Sequence, residues 1–376
     1  MTSRERLTTV LQGKIPDCVP VSPDTSNMIP AKMTGLPFWD IYLYKKKPSW
    51  MAYLDCVKYF GFDSLMDGYL PLDFEELGEI NNDLCEYIIF KNDEKIITQI
   101  CKVANGKMFW QDRAAIYFID NPPVRGTTAY LGLSPEPSHY EKVEGVCQWK
   151  TGEELLKFAK SEMGDHGLVG ITCGTTSLIK NEEELYSYFD NPEPFYQRRK
   201  EFTEACEKRF NYMMSLETKP DFICTGSSGS LIWQTPQIFR ELSFPIAKRI
   251  TDLCHQHGIF SHVHSCGPEK ELVQIMAEET NLTVIDPLEI PPAGNCNLKE
   301  LKKAYGDKIV LKGNLHTTDV MLYGSVEDVK EAAKRAIDDA AEGGRFILST
   351  GDQCGRDTPY ENIFALVEIA RTYGKY

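Results

Sequence analysis

With 376 residues, 42% of them hydrophobic, the chain is long enough for a large core, and no run approaches the ~18–20 apolar residues of a membrane span. A formal net charge of −14 excludes the basic footprint of a nucleic-acid binder, and the polar start Met1-Thr2-Ser3-Arg4-Glu5-Arg6-Leu7 is not a secretory signal. Twelve cysteines stand singly with no CxxC, the usage of reduced thiols in a cytoplasmic protein rather than of a disulfide framework.

The periodicity predicts a short amphipathic helix over 3–12, with Leu7, Val10 and Leu11 on one face and Gly13 past its end. Asp17-Cys18-Val19-Pro20-Val21-Ser22-Pro23-Asp24 reads as a first strand. A helix over 48–59 leads to a second, ending at Asp67. Then the rhythm breaks. Residues 86–101, 107–110 and 114–119 carry β-rich runs with turn signals at Lys91-Asn92-Asp93 and Ala104-Asn105-Gly106-Lys107, the pattern of inserted antiparallel hairpins. A lid over a site and a cover for a sheet edge are both open readings of this insertion near residues 86–120. Pro- and Gly-bearing connection follows over 121–149.

Alternation resumes with a helix over 151–163, a strand into Cys173, a long helix over 194–216 and a strand into Gly226. A helix over 235–257, broken near Pro245, precedes the strand into His264. Strands into Glu289, Asn314 and Gly351 follow, separated by helices over 268–279, 298–305 and 325–342, and a helix over 359–373 closes the chain. Eight strand–helix units describe a (β/α)₈ TIM barrel, here a single α/β domain over 1–376. A doubly wound open sheet is the alternative, but no GxGxxG opens a helix.

The segment Ile259-Phe260-Ser261-His262-Val263-His264-Ser265-Cys266-Gly267 concentrates the chemistry. Residues two apart on a strand share a side, so His264 and Cys266 leave its end together as an imidazole and a thiol. Such a pair suits a soft-to-borderline cation, zinc first, although a chance His-x-Cys with a merely buried thiol is the plain alternative. Glu289 and Cys354 fall just past other strand ends, and in a parallel barrel those ends converge on one face.

Four stretches resemble the uroporphyrinogen decarboxylase superfamily. They are Arg4-Glu5-Arg6 with residues 11–21, His264-Ser265-Cys266-Gly267, residues 298–314, and Asp357-Thr358-Pro359-Tyr360-Glu361-Asn362. No Arg-Gln-x-Gly-Arg segment lies near the N-terminus to hold a porphyrinogen, so the metal-free decarboxylase branch is the lesser match. The zinc-dependent corrinoid methyltransferase branch is the better one. Gaps of 23 residues from Cys266 to Glu289 and 88 to Cys354 are similar to those of the zinc set in cobalamin-independent methionine synthase. The resemblance implies His264, Cys266 and Cys354 as zinc ligands and catalytic residues, with Glu289 as a fourth ligand that gives way to substrate.

Phe38-Trp39-Asp40-Ile41-Tyr42-Leu43-Tyr44, Ser228-Gly229-Ser230-Leu231 and residues 349–357 are similar to the methyltransferase component of aryl-ether O-demethylases. That implies a methoxylated aromatic substrate, a corrinoid (cobalamin) on a separate partner protein, and methyl transfer to Co(I). Methylation of a thiol such as coenzyme M, metal-free decarboxylation and a non-catalytic zinc barrel stay as alternatives. On the leading reading Asp24, Asp67, Asn314 and His316 bind ring hydroxyls, or else shape loops, and Tyr69 and Trp233 line an aromatic slot with Trp39 and Tyr42, or else pack as core. His262 is expected inside the barrel, beneath His264. The oligomeric state, a homodimer included, is left open.

Overall fold

The computed structural model describes residues 1–79 and 83–376. Its strands, in chain order, begin with β1 (Ser64–Met66), β2 (Leu84–Lys91), β3 (Lys95–Ala104), β4 (Lys107–Phe118), β5 (Val124–Gly126) and β6 (Glu141–Lys142). They continue with β7 (Gly167–Thr172), β8 (Phe222–Cys224), β9 (Phe260–His264), β10 (Val284–Asp286), β11 (Val310–Leu315) and β12 (Phe346–Thr350). Two compact units result: Met1–Asp24 with Val57–Leu70 and Leu156–Tyr376, and Thr25–Cys56 with Pro71–Leu155.

In the first unit the strand order is β1-β7-β8-β9-β10-β11-β12, every neighbouring pair parallel. Strands buried on both faces should read as apolar runs, and β12 (Phe-Ile-Leu-Ser-Thr) is buried at all five positions. Helices alternate with the strands, and their starts carry the expected caps. Asn297 accepts the Glu300 N–H, and Ser325 and Asp328 form a reciprocal capping box. The fold is thus a TIM-barrel-like α/β ring of seven regular parallel strands among the described residues.

The eighth strand expected over 17–24 is reduced to two isolated bridges, a parallel one from Val21 to Leu348 and an antiparallel one from Cys18 to Lys375. The prolines explain it: Pro20 and Pro23 lack N–H donors, so a ladder cannot propagate. The segment still holds the eighth place. Ser22 N–H donates to the Leu348 carbonyl (2.8 Å), and Asp63 N–H, just before β1, donates to the Val21 carbonyl (2.7 Å).

One end of the ring is filled by the first helix, Ser3–Leu11. Its Leu7, Val10 and Leu11 join Leu65, Leu168, Phe222, Val284, Val310 and Ile347 in one buried cluster. Beside it, fully buried Asp63 accepts from Arg6 Nη1 (2.7 Å) and from both Arg371 terminal nitrogens (2.9 Å each). Removing the carboxylate takes the counter-charge from Arg371 and leaves Arg6 with Asp17 alone. Asp63→Ala is expected to cost about 3–5 kcal/mol, read as a lower midpoint in chemical denaturation.

The second unit holds the five-stranded antiparallel sheet, order β5-β4-β3-β2-β6, the hairpin insertion read from the sequence. Asn105 and Gly106 both have positive φ (52° and 71°), the two-residue turn that Asn-Gly favours between β3 and β4. Leu43, Ile88, Ile96, Ala115 and Tyr117 form its core. Trp39 and Tyr42 pack on that core, which accounts for two of the candidate slot aromatics as packing residues of this unit.

Candidate metal centre

Gly258, at φ 66°, ends the helix Phe244–Gln256 and starts the chain into β9. Parallel pairing then sets His262 beside Val284 and His264 beside Asp286. Both histidines reach one carboxylate oxygen. Asp286 Oδ1 lies 3.0 Å from His262 Nε2 and 2.9 Å from His264 Nδ1, while Oδ2 pairs with Lys312 Nζ. Burial alone would raise the Asp286 pKa, but Lys312 and the two imidazoles hold it well below the usual carboxylate range. Burial likewise opposes charge on His264, yet the Asp286 charge raises its pKa well above the usual value.

This arrangement fixes the His264 ring. With Nδ1–H given to Asp286, Nε2 is the atom presented to Cys266 and Asp352, a carboxylate–histidine pairing common behind metal ligands. His264, Cys266 and Asp352 offer ligand atoms that all lie within 4.8 Å of one another. Asp352 Oδ1 is buried without a hydrogen-bond partner, 3.7 Å from His264 Nε2. Burial pushes its carboxyl up to about 6, against the pull of His264. Asp352 also has φ 138°, a strained conformation for a residue with a Cβ. An orphaned carboxylate oxygen beside an N and an S donor fits a zinc-type cation, which would take the place of a proton on Nε2.

Cys354 is fully buried; its N–H donates to the Asp24 carbonyl (2.8 Å), and burial pushes its thiol far above the usual range. In the tight donor group Asp352 stands where Cys354 was expected. Glu289 Oε2 accepts the Gly267 N–H at 2.5 Å, which ties it to the loop carrying Cys266. Glu289 lines a small cavity with Asn314, His316 and Gly351. Asn314 Nδ2 donates to the Leu288 carbonyl (3.0 Å), and His316 Nδ1 accepts the Asp319 N–H (2.9 Å), so both have local structural work. Asp67 Oδ2 sits 2.9 Å from His262 Nδ1. Asp24, half-buried, adds negative charge felt by His264, Asp352 and Cys354, and Tyr69 is half-buried past the end of β1. Trp233 and Cys266 share a cavity of about 420 Å³ with Ser177, Lys180, Ser227, Ser228 and Ile232.

Asp286, Lys312 and Asp352 were not singled out from the sequence. A lysine inside the apolar strand Val310-Leu311-Lys312-Gly313 was a legible signal, because a buried ammonium requires a carboxylate partner.

Glu269, three residues past Cys266, is buried, with Oε1 accepting the Leu231 N–H and Oε2 unpartnered. Burial raises its pKa to about 7 from 4.5. An acid whose folded pKa is raised carries no penalty below its unfolded pKa; the penalty grows as pH rises from the unfolded value to the folded one and is constant above it. Glu269→Gln is therefore expected to be near-neutral at about pH 4.5 and stabilising by about 1–3 kcal/mol at pH 8, read from thermal melts across that range.

A ring of parallel strands thus carries an N, S, O donor set at its carboxyl ends, the face on which TIM barrels build their sites. Residues 191–373 match the uroporphyrinogen decarboxylase (URO-D) family, in keeping with the resemblance read from the residues. Among curated relatives, the methylcobamide:CoM methyltransferase MtbA of Methanosarcina mazei is 26% identical over 140 residues, 36% of this chain and 37% of the relative. MtaA of Methanosarcina barkeri, of the same description, is 25% identical over 228 residues, 58% of this chain and 62% of the relative. A uroporphyrinogen decarboxylase of Thioalkalivibrio sulfidiphilus is 25% identical over 190 residues, 50% of this chain and 51% of the relative. The chain thus spans less than two thirds of the length of each of these relatives. A solved methyltransferase structure from Methanosarcina mazei superposes with TM-score 0.66 at 18% identity over 99% of both chains, a likeness of fold. Among the described residues no helix is long and apolar enough to cross a membrane.

Proposed function

We propose that this protein is a zinc-dependent, corrinoid-dependent methyltransferase of the cytoplasm, with the cation held by His264, Cys266 and Asp352. The observation that carries the reading is His264 Nε2, left facing Cys266 and an unpartnered Asp352 oxygen while Nδ1 is fixed by Asp286. When bound, zinc would polarise an ether oxygen or hold a thiol as thiolate, and a corrinoid on a partner protein would accept or supply the methyl group. The chain's own residues position the reactants. Cys266 is part of the cavity wall, so a substrate atom near the cation places its remainder against Trp233 and Ser227. Lys180 adds a cation to the same wall. Glu289 and Cys354 stay in the proposed ligand set, Glu289 as the group that yields to substrate.

The methyl donor we propose is a methoxylated aromatic compound, with Co(I) of the corrinoid protein as acceptor and Asp24, Asn314, Tyr69 and Trp233 toward the ring. The aromatic wall at Trp233 supports it. A second reading, methylcobamide to thiol, is favoured by the methylcobamide:CoM methyltransferase activity of MtbA and MtaA. One assay separates them. The protein is incubated with reduced corrinoid protein and a panel of methoxyarenes, and in parallel with methylcobamide and coenzyme M. Methyl-cobalt absorbance with release of a phenol supports the ether reading. Thioether formation with none from any arene replaces it by the thiol reading, and full activity after zinc removal overturns both.

A further inference from the structure

Beneath the proposed centre lies a second set of donors of the same kinds. We propose that Asp67, Cys224 and His262 form a separate site for a zinc-type divalent cation, one strand step deeper in the ring. Cys224 and His262 are direct partners across β8 and β9, and Asp67 follows β1. Their ligand atoms all lie within 4.8 Å of one another.

The imidazole points to a ligand independently of that grouping. His262 is 1% exposed, and its Nδ1 makes no hydrogen bond. Asp67 Oδ2 is 2.9 Å away, a distance that would pass for a bond, but the contact lacks the direction of one. The other ring nitrogen is committed: Nε2 meets Asp286 Oδ1 at 3.0 Å. With Nε2–H donated there, a cation among Asp67, Cys224 and Nδ1 would take the place of a proton on Nδ1, as at Nε2 of His264. His264 repeats this on the other side of the same oxygen, giving Nδ1–H to Asp286 and turning Nε2 to Cys266 and Asp352.

Two His, Cys, Asp triads therefore flank one carboxylate. Charge favours filling the deeper one, since a thiolate and a carboxylate balance a divalent ion in a buried place. Tetrahedral zinc with bonds of ~2.0–2.3 Å sets neighbouring donors ~3.3–3.8 Å apart. Asp67 and His262 at 2.9 Å would separate slightly on loading, and Cys224 would draw in. The competing occupant is a proton on His262, which would leave an ion pair and no metal.

The test is metal counting on the full chain. Protein stripped by chelator is titrated with Co(II), reading equivalents bound and the thiolate-to-cobalt charge-transfer band, with zinc counted separately by mass spectrometry. Wild type is expected to take two equivalents. Cys224→Ser and Asp67→Asn should each take one, Cys224→Ser with about half the charge-transfer intensity. Cys266→Ser should also take one, held by the deeper triad. Circular dichroism identifies any variant that fails to fold, and wild-type stoichiometry decides independently of all variants. A single equivalent in wild type, lost in Cys266→Ser, overturns the inference and leaves the proposed function standing. A single equivalent that survives Cys266→Ser and disappears in Asp67→Asn supports the deeper site and removes the basis of the proposed function.

Discussion

His264→Ala should lose the cation of the proposed centre and, on the proposed function, slow methyl transfer about a thousandfold, roughly 4 kcal/mol in the barrier, with the fold intact. His264 is the member of the donor group whose orientation is fixed from behind, through 2.9 Å to Asp286 Oδ1. Removing the ring takes away the nitrogen donor of the group with Cys266 and Asp352, and with it the one ligand atom that Asp286 orients. The stability cost should be small, because His264 lies at the strand end and its side chain is 21% exposed. Metal content by mass spectrometry and single-turnover kinetics check both halves. Unchanged metal content in the variant would remove His264 from the ligand set.

Asp286→Asn should be worse for the protein and different in kind. The carboxylate is 3% exposed and serves Lys312, His262 and His264 at once. An amide of the same shape leaves the Lys312 ammonium buried without its counter-charge, a loss of about 3–5 kcal/mol. It also replaces the charged acceptor shared by both imidazoles and Lys312 with a neutral amide that has a single acceptor oxygen, expected to weaken metal binding about 10–100-fold. The two effects can be separated. Lys312→Met in the Asp286→Asn background removes the orphaned charge, so denaturation midpoints should recover while metal affinity does not. If affinity recovers as well, Asp286 acts on the site only through stability.

His264 and Cys266 were legible because a period of two and a strand end suffice to place them side by side. The family was legible through the strand end at 264–267 together with stretches that include helices and loops, over 4–21, 298–314 and 357–362. Asp352 was hidden by its backbone. It lies in a Gly-flanked loop at φ 138°, and no periodicity predicts where such a residue points. The sequence reading carried its strand through to Glu289, whereas β10 stops at Asp286, so the carboxylate nearest His264 was passed over for the next one. Pattern also overstated the first strand, because apolar residues between prolines look like a strand and yet cannot donate a ladder. Residues 25–56 carried no signal of sharing a unit with the hairpins, since that grouping is set by packing of Trp39, Tyr42 and Leu43 on distant strands.

The bridge at Val21 makes the ring unequal around its circumference. Where β9, β10 and β11 are joined by continuous ladders, the 19–22 segment is tied by a few isolated contacts. Thermal breathing will begin at that seam, and Ser22 N–H should exchange with deuterium well ahead of the amides between β9 and β10. Asp24, at the same seam, bonds through its carbonyl to the Cys354 N–H and through its own N–H to Thr350 Oγ1. The loop bearing Asp352 and Cys354 is thus hinged on the loosest joint of the wall, while His264 stands on a continuous one.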